Sequence, residues 1–249
     1  MSGHSKWSTI KRKKGANDAK RGKIFTKLIK EIAIAVKEGG GPELDANPRL
    51  RLAVQNAKGS NMPKENIERA IKKASGSDAE SYEELTYEGY APHGVAVFVE
   101  CMTDNLNRTV AAVRSAFNKY GGSLGTNGSL EFIFDRKGIF TFKLPGNKNE
   151  DELILEIIDA GAEDVEIDDG YVTVTTEMED FGSVNKKLEE LDIETETAEL
   201  QRIPNSLVDL DDEIFTRVMK FIEALEDNDD VQKVYHNIDV KESQFELIN

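Results

Sequence analysis

Residues 138–200 read GIFTFKLPGNKNEDELILEIIDAGAEDVEIDDGYVTVTTEMEDFGSVNKKLEELDIETETAEL. Ile139–Lys143 is a short apolar run of strand length, and 151–160 repeats its apolar residues at helical spacing. Two further strands, 164–167 and 171–175, flank an Asp168-Asp169-Gly170 turn, a sequence suited to a tight hairpin rather than to holding a metal. A helix over 181–191 and a strand over 194–200 complete the series. The order βαββαβ is that of a ferredoxin-like split βαβ domain.

The segments on either side of this stretch are incomplete without each other. Upstream, 95–99 (VAVFV) is a dense apolar strand, 108–120 a helix ended by Gly121 and Gly122, and 130–134 (LEFIF) a strand. Downstream, 214–225 is a helix and 231–235 a strand. The sequence therefore predicts a discontinuous α/β domain, 79–136 with 204–249, into which the ferredoxin-like domain 137–203 is inserted. Residues 1–78 form a separate basic arm and helical domain, with helices over 18–38, 47–58 and 63–76. Asn47-Pro48 is an N-cap followed by proline at the first helical position. The fold class is α+β, with three helices at the N-terminus and two ferredoxin-like α/β domains.

Charge is divided unevenly among these segments. The chain of 249 residues carries 32 Lys and Arg against 47 Asp and Glu, a net of −15. Yet residues 1–75 hold 18 Lys and Arg and 7 acids, a net of +11, leaving −26 for the remainder. At physiological salt the Debye length is about 8 Å, so a basic segment can attract a polyanion while an acidic body repels it elsewhere. The phosphate-neutralising candidates are Lys6, Lys11, Arg12, Lys13, Lys14, Lys20, Arg21, Lys23, Lys27 and Lys30. On the helix 18–38, Phe25, Leu28, Ile29, Ile32 and Val36 make the apolar stripe, and the lysines, Lys30 included, fall largely outside it. Six to eight neutralised phosphates on duplex DNA would give a salt slope of about −5 to −7. The competing reading folds the arm back onto the protein's own acids. Trp7, the single tryptophan, either stacks on a base or anchors the arm to its helical domain. Nothing in the segment places Asn, Gln and Arg on one helix for reading groove edges, so DNA and RNA stay undistinguished.

Signals for catalysis are sparse. His4, His93 and His236 lack metal-ligand spacing, and there is no Walker loop, dinucleotide glycine fingerprint or nucleophile elbow. Gly121–Gly128 (GGSLGTNG) can cradle a phosphate or simply turn the chain. Asp104, Asn105, Asn107 and Arg108 either cap the following helix or line a polar contact surface. An enzyme built around Asp104, Asn107 and Arg108 and an adaptor acting through acidic faces are the alternatives from other classes. The lone Cys101 allows no internal disulfide and fits a reducing cytoplasm. No apolar run has the length of a membrane span, and the basic start lacks the apolar core of a secretory signal. No cofactor is expected. The expected partner is nucleic acid, with protein partners on the acidic domains also allowed and no membrane or small-molecule substrate.

Four stretches carry a resemblance: GHSKWSTIKRKKGANDAKRGKIFTKLIKEI (3–32), NPRLRLAVQNAKGSNMPKENIERAIKKASG (47–76), YEGYAPHGVAVFVECMTDNLNRT (87–109) and DDVQKVYHN (229–237). Together they resemble the YebC/PmpR family of probable transcriptional regulators, which includes the mitochondrial translational activator of cytochrome c oxidase. The resemblance implies a three-domain, cofactor-free, cytoplasmic bacterial protein. It also implies a divided function, DNA-binding regulation in some members and assistance to ribosomes at proline-rich stretches in others. Nucleic-acid contact would carry over to Lys6, Lys11, Lys13, Lys14, Lys20, Arg21 and Lys23.

Overall fold

The computed structural model of the chain describes residues 18–76, 79–146 and 148–248. They gather into two compact units. The first holds 18–34, 79–135 and 203–248; the second holds 35–76, 136–146 and 148–202.

In the second unit the chain runs β4 (Phe134–Lys143, from Arg136 onward), α5 (Glu150–Asp159), β5 (Ala162–Asp168), β6 (Tyr171–Glu177), α6 (Phe181–Glu190) and β7 (Thr197–Pro204, up to Arg202). The sheet order β5-β6-β4-β7 is that of a ferredoxin-like domain. Phe140, Phe142, Val172 and Val174 bury against Leu153, Ile157, Val184 and Leu188 of the two helices. The hairpin between β5 and β6 turns on Asp169 (φ 49°) and Gly170 (φ 76°), the left-handed pair that a two-residue loop requires. Gly138 is demanded by packing, because a Cβ there would sit 2.6 Å from the Phe181 ring.

Helices α2 (Pro48–Gly59) and α3 (Lys64–Ala74) belong to this same unit. The Asn47 side chain caps α2, accepting from the Leu50 N–H at 2.9 Å and donating to the carbonyls of Ala35 and Gly41. Asn56 then behaves as a strand edge in miniature. Its amide donates to Ala198 O at 2.9 Å and accepts from Ala198 N at 2.8 Å, pinning α2 to β7.

The first unit is built on β1 (Glu83–Tyr90), β2 (Ala96–Thr103), β3 (Ser123–Leu124) and β9 (Val231–His236), in the order β3-β1-β2-β9 with every neighbouring pair antiparallel. Helices α4 (Leu106–Lys119) and α7 (Asp212–Glu226) cover one face. There Val97, Val99 and Cys101 meet Phe117, Phe215, Phe221 and Ile222. Ala96 and Phe98 form a second cluster with Leu130, Ile133, Phe134 and Tyr235. Strand β2 is thus buried on both sides, which is why it reads as an unbroken apolar run. A two-stranded parallel ribbon joins β8 (Val208–Asp209) to β10 (Ile238–Asp239). Residues 18–34 of helix α1 (Asp18–Glu38) also belong to this unit.

One expected strand is corrected. Leu130–Ile133 is a turn, and only Phe134 of that stretch enters a strand. The apolar residues are not alternating across a sheet: Leu130, Ile133 and Phe134 are buried while Phe132 is 70% exposed. The buried carboxylate of Glu88 fixes the turn by accepting from Gly128 N at 2.7 Å and Leu130 N at 2.6 Å. The glycine-rich segment turns the chain, and its Gly128 N–H is taken by the protein's own Glu88 side chain.

Candidate nucleic-acid interface

Lys6, Trp7, Lys11, Arg12, Lys13 and Lys14 lie outside the described residues. Lys20 is in the first turn of α1, and Arg21 is solvent-exposed on the next. The lysines that follow recur at positions 23, 27 and 30, a spacing that sets them along one helix face.

That face meets the connection from α7 to β9. Lys23 pairs with Asp227 at 2.6 Å, with both side chains largely exposed. Lys27 donates to the carbonyl oxygen of Glu226 at 3.1 Å. Lys30 reaches deepest. Its ammonium donates to Asp229 O at 2.7 Å, Met102 O at 3.2 Å and the Asp230 carboxylate at 3.1 Å. The expectation that Lys30 stands outside the buried stripe is corrected, since its side chain is only 9% exposed. All three of its N–H donors have acceptors, which is how a buried ammonium is tolerated.

Asp230, 6% exposed, is the centre of the arrangement. Arg108 grips it through Nε to Oδ2 at 3.0 Å and Nη2 to Oδ1 at 2.8 Å. The Thr109 hydroxyl donates to Oδ2 at 2.9 Å. Burial pushes this carboxyl up, but the hydrogen bonds from Arg108, Lys30 and Thr109 outweigh it and hold the group below the ordinary carboxylate range. The same bond to Asp230, and then the one to Asp104, raise the Arg108 guanidinium above its usual value.

The Asp104–Thr109 cluster now has a residue-by-residue placement. Asn105 caps α4, its Oδ1 accepting from the Arg108 N–H at 3.0 Å. Asp104 braces Arg108 at 2.7 Å, four residues away on the same turn. Asn107 is exposed. Sequence reasoning missed Asp230 because its partners are 122 and 200 residues away along the chain, and an Asn-Asp-Asp run after a helix reads as a solvated turn.

Cys101 and Tyr82 also feel the Asp230 charge. Cys101 is buried, and desolvation followed by the Asp230 charge pushes its thiol up to about 12. A thiol in that state is protonated at neutral pH and a poor nucleophile. Tyr82 is raised by burial and by its hydrogen bond to Glu80. Among the described residues no group of His, Cys, Asp and Glu could hold a metal ion, and no helix is long and apolar enough to cross a membrane.

Residues 5–77 match the TACO1/YebC protein N-terminal domain, and residues 82–238 match the TACO1/YebC second and third domain. A protein of Amoebophilus asiaticus called "Probable transcriptional regulatory protein" is 59% identical over 96% of this chain and 98% of its own length. One of the same name from Syntrophotalea carbinolica is 54% identical over 100% of this chain and 99% of its own. Among solved structures, a conserved hypothetical protein from Aquifex aeolicus is 45% identical and superimposes with a TM-score of 0.80, covering 90% of this chain and 93% of that one. The chain belongs to the TACO1/YebC family, and these two curated relatives bear the name of transcriptional regulators.

Proposed function

We propose that the protein is a non-enzymatic, cofactor-free, cytoplasmic regulator of transcription that binds DNA through the basic residues at its N-terminal end. The division of charge carries the reading: +11 over residues 1–75 against −26 over the rest. Because Lys27 and Lys30 engage carbonyls and an acid of the protein itself, the proposal centres on Lys6, Trp7, Lys11, Arg12, Lys13, Lys14, Lys20 and Arg21, with Lys23, whose pair with Asp227 is exposed, at the edge of the group. The names of the relatives support regulation, and the structural roles of Asp230, Arg108 and Cys101 support a body without catalytic side chains. The proposed division of labour follows three domains, 1–78, 79–136 with 204–249, and 137–203, with the acidic domains offering surfaces to protein partners.

A second reading has its own support. The basic segment lacks a helix equipped to read base edges, which favours backbone binding and allows ribosomal RNA as the polymer. In that form the protein is a translation factor that relieves stalling at proline-rich stretches by positioning.

Charge reversal of Lys11, Arg12, Lys13 and Lys14 tests both forms. Binding of the intact protein to duplex DNA is expected to show a salt slope of about −5 to −6, and the variant a much shallower one. Affinity indifferent to ionic strength, or unchanged in the variant, would sink the proposal. Crosslinking in cells with sequencing of both DNA and RNA, alongside ribosome co-sedimentation, decides between the polymers.

A further inference from the structure

A second cationic feature lies in the acidic part of the sequence. In the first unit, the turn joining β1 to β2, the turn that ends α4, and helix α7 together line a cleft of about 300 Å³. Its apolar lining comes from Pro92, Tyr120, Ile214 and Val218. Its exposed residues include the cations Lys119, Arg217 and Lys220, with His93 beside them. Among the described residues no carboxylate lines it. That is unexpected in a stretch, 76–249, with 40 acids and 14 Lys and Arg. Arg217 has Glu213 as an exposed partner one turn away, but Lys119 and Lys220 make no ion pair among the described residues. Lys119 instead lies over the Tyr120 ring, its Nζ 5.4 Å from the centroid.

The backbone around the cleft is held in an uncommon shape. His93 has φ 65°, a left-handed conformation that is costly for a residue with a side chain. The Ala91 N–H to Val95 O bond at 2.8 Å closes the turn that holds it. The neighbouring turn packs as closely, since a Cβ on Gly122 would lie 2.7 Å from Tyr90 O. The Tyr120 ring packs against Phe221, centroid to centroid 5.7 Å with the planes tilted by 35°. The cations are therefore carried on elements that already have their final geometry.

The geometry points to a site for one nucleotide of an unpaired nucleic-acid strand. The base takes the place of the Lys119 ammonium over the Tyr120 ring and rests on Pro92, and its phosphates meet the displaced Lys119 with Arg217 and Lys220. An aromatic face beside a cationic rim is the arrangement by which single strands are held without sequence reading, because every base has a π face. A base inside a duplex has both faces stacked on its neighbours and none to lay on Tyr120. Lys119 also offsets the negative end of α4, where an anion would otherwise be repelled. The inference rests on the nucleic-acid reading for the choice of polymer, but it needs nothing from the N-terminal lysines.

The test uses the full-length protein, a labelled single-stranded RNA containing 4-thiouridine, and the double variant Lys119→Glu/Lys220→Glu. Both residues are exposed, and a thermal melt confirms that the variant folds. Affinity for the strand is expected to fall about tenfold, within the range a stacked base and its phosphates supply. The salt slope should become shallower by about 0.7 for each phosphate no longer neutralised. Photocrosslinks should map to the peptide carrying Tyr120 and vanish in the variant. The milder Lys119→Gln/Lys220→Gln variant should show a smaller loss in the same direction. Unchanged affinity, crosslinks confined to other peptides, or an equal loss on a duplex of the same sequence would each overturn the site. The variant with Lys11, Arg12, Lys13 and Lys14 reversed runs in parallel. If it alone weakens binding of the strand, the cleft is refuted; if the Lys119/Lys220 variant weakens it, the cleft stands whatever the duplex-DNA assay says of the N-terminal residues.

Discussion

Lysines 23, 27 and 30 come from the most basic part of the sequence, and lysines 119 and 220 from its acidic part. Their fates in the first unit are opposite. The former lie along one face of α1 and meet Asp227, the carbonyls of Glu226 and Asp229, and the Asp230 carboxylate. The latter border an apolar cleft and make no ion pair among the described residues. A lysine's sequence neighbours set the mean field of its segment, whereas its fold neighbours set whether the charge is available. In the α7–β9 connection the acids needed to consume the helix's charge are supplied 200 residues away. At the cleft by the β1–β2 turn no acid is among the described lining residues, and only Arg217 has one beside it, so the lining takes the opposite sign from the stretch of chain that makes it.

The comparison breaks most readily at Asp230. If Lys30 is structural, Asp230→Ala should cost about 3–5 kcal/mol, because it leaves a buried ammonium without its counter-ion, while Arg108 keeps Asp104. Denaturant titration measures this. A loss below about 1 kcal/mol would mean that Lys30 readily turns to water and is available to an outside anion. The pH dependence has a definite sign. The folded carboxyl titrates below the unfolded one, so its contribution is complete above the ordinary carboxylate range and is lost as pH falls through the lowered folded value. The gap between wild type and Asp230→Ala should therefore be full at neutral pH and close in strong acid.

Glu88 is a second buried carboxylate, held by backbone rather than by cations, and it separates what is legible in the sequence from what is not. Features written in adjacent residues are readable. The Asn47-Pro48 cap, the Asp-Asp-Gly hairpin, the doubly buried VAVFV strand and the βαββαβ order of the inserted domain each depend on neighbours within a few positions. The features that escape depend on distant partners. Leu130–Phe134 has the composition of a strand, yet a carboxylate 42 residues upstream takes the Leu130 N–H that a ladder would need. Strand β1 gives no local signal because EELTYEGY lacks an apolar run; its pairing is decided by β2, and by β3 at Gly89, where a Cβ would meet Ser123 O at 2.4 Å. The Asp230 cluster assembles residues from α1, α4 and the entry to β9, and no local pattern announces it.

Glu88→Gln should sit in the middle of the range. An amide keeps one oxygen acceptor but turns an NH2 toward the second backbone N–H, leaving a buried donor unsatisfied at a cost of about 1–3 kcal/mol. The effect should be confined to the Gly125–Phe134 turn, visible as faster amide exchange at Gly128 and Leu130 with the Asp230 cluster unchanged. Faster exchange throughout β1, β2 and β9 would mean instead that the turn is part of the sheet's cooperative unit.

Lys23→Ala is the smallest and sharpest probe. Its pair with Asp227 is as short as any in the α1 stripe, but both partners are largely exposed, at 44% and 73%. Water solvates each ion well when the pair opens, so the expected stability change is about 0–1 kcal/mol. That low value is what makes the position informative for binding. A lysine that leaves Asp227 at little cost remains usable by a phosphate, whereas Lys30, with three buried acceptors, does not. Measured against the same labelled strand, Lys23→Ala should therefore weaken nucleic-acid binding more than it weakens the fold, and Asp230→Ala the reverse. If Lys23→Ala instead destabilises the protein by as much as Asp230→Ala, the whole stripe is one cooperative ion network and the boundary between structural and available charge moves N-terminal of Lys23.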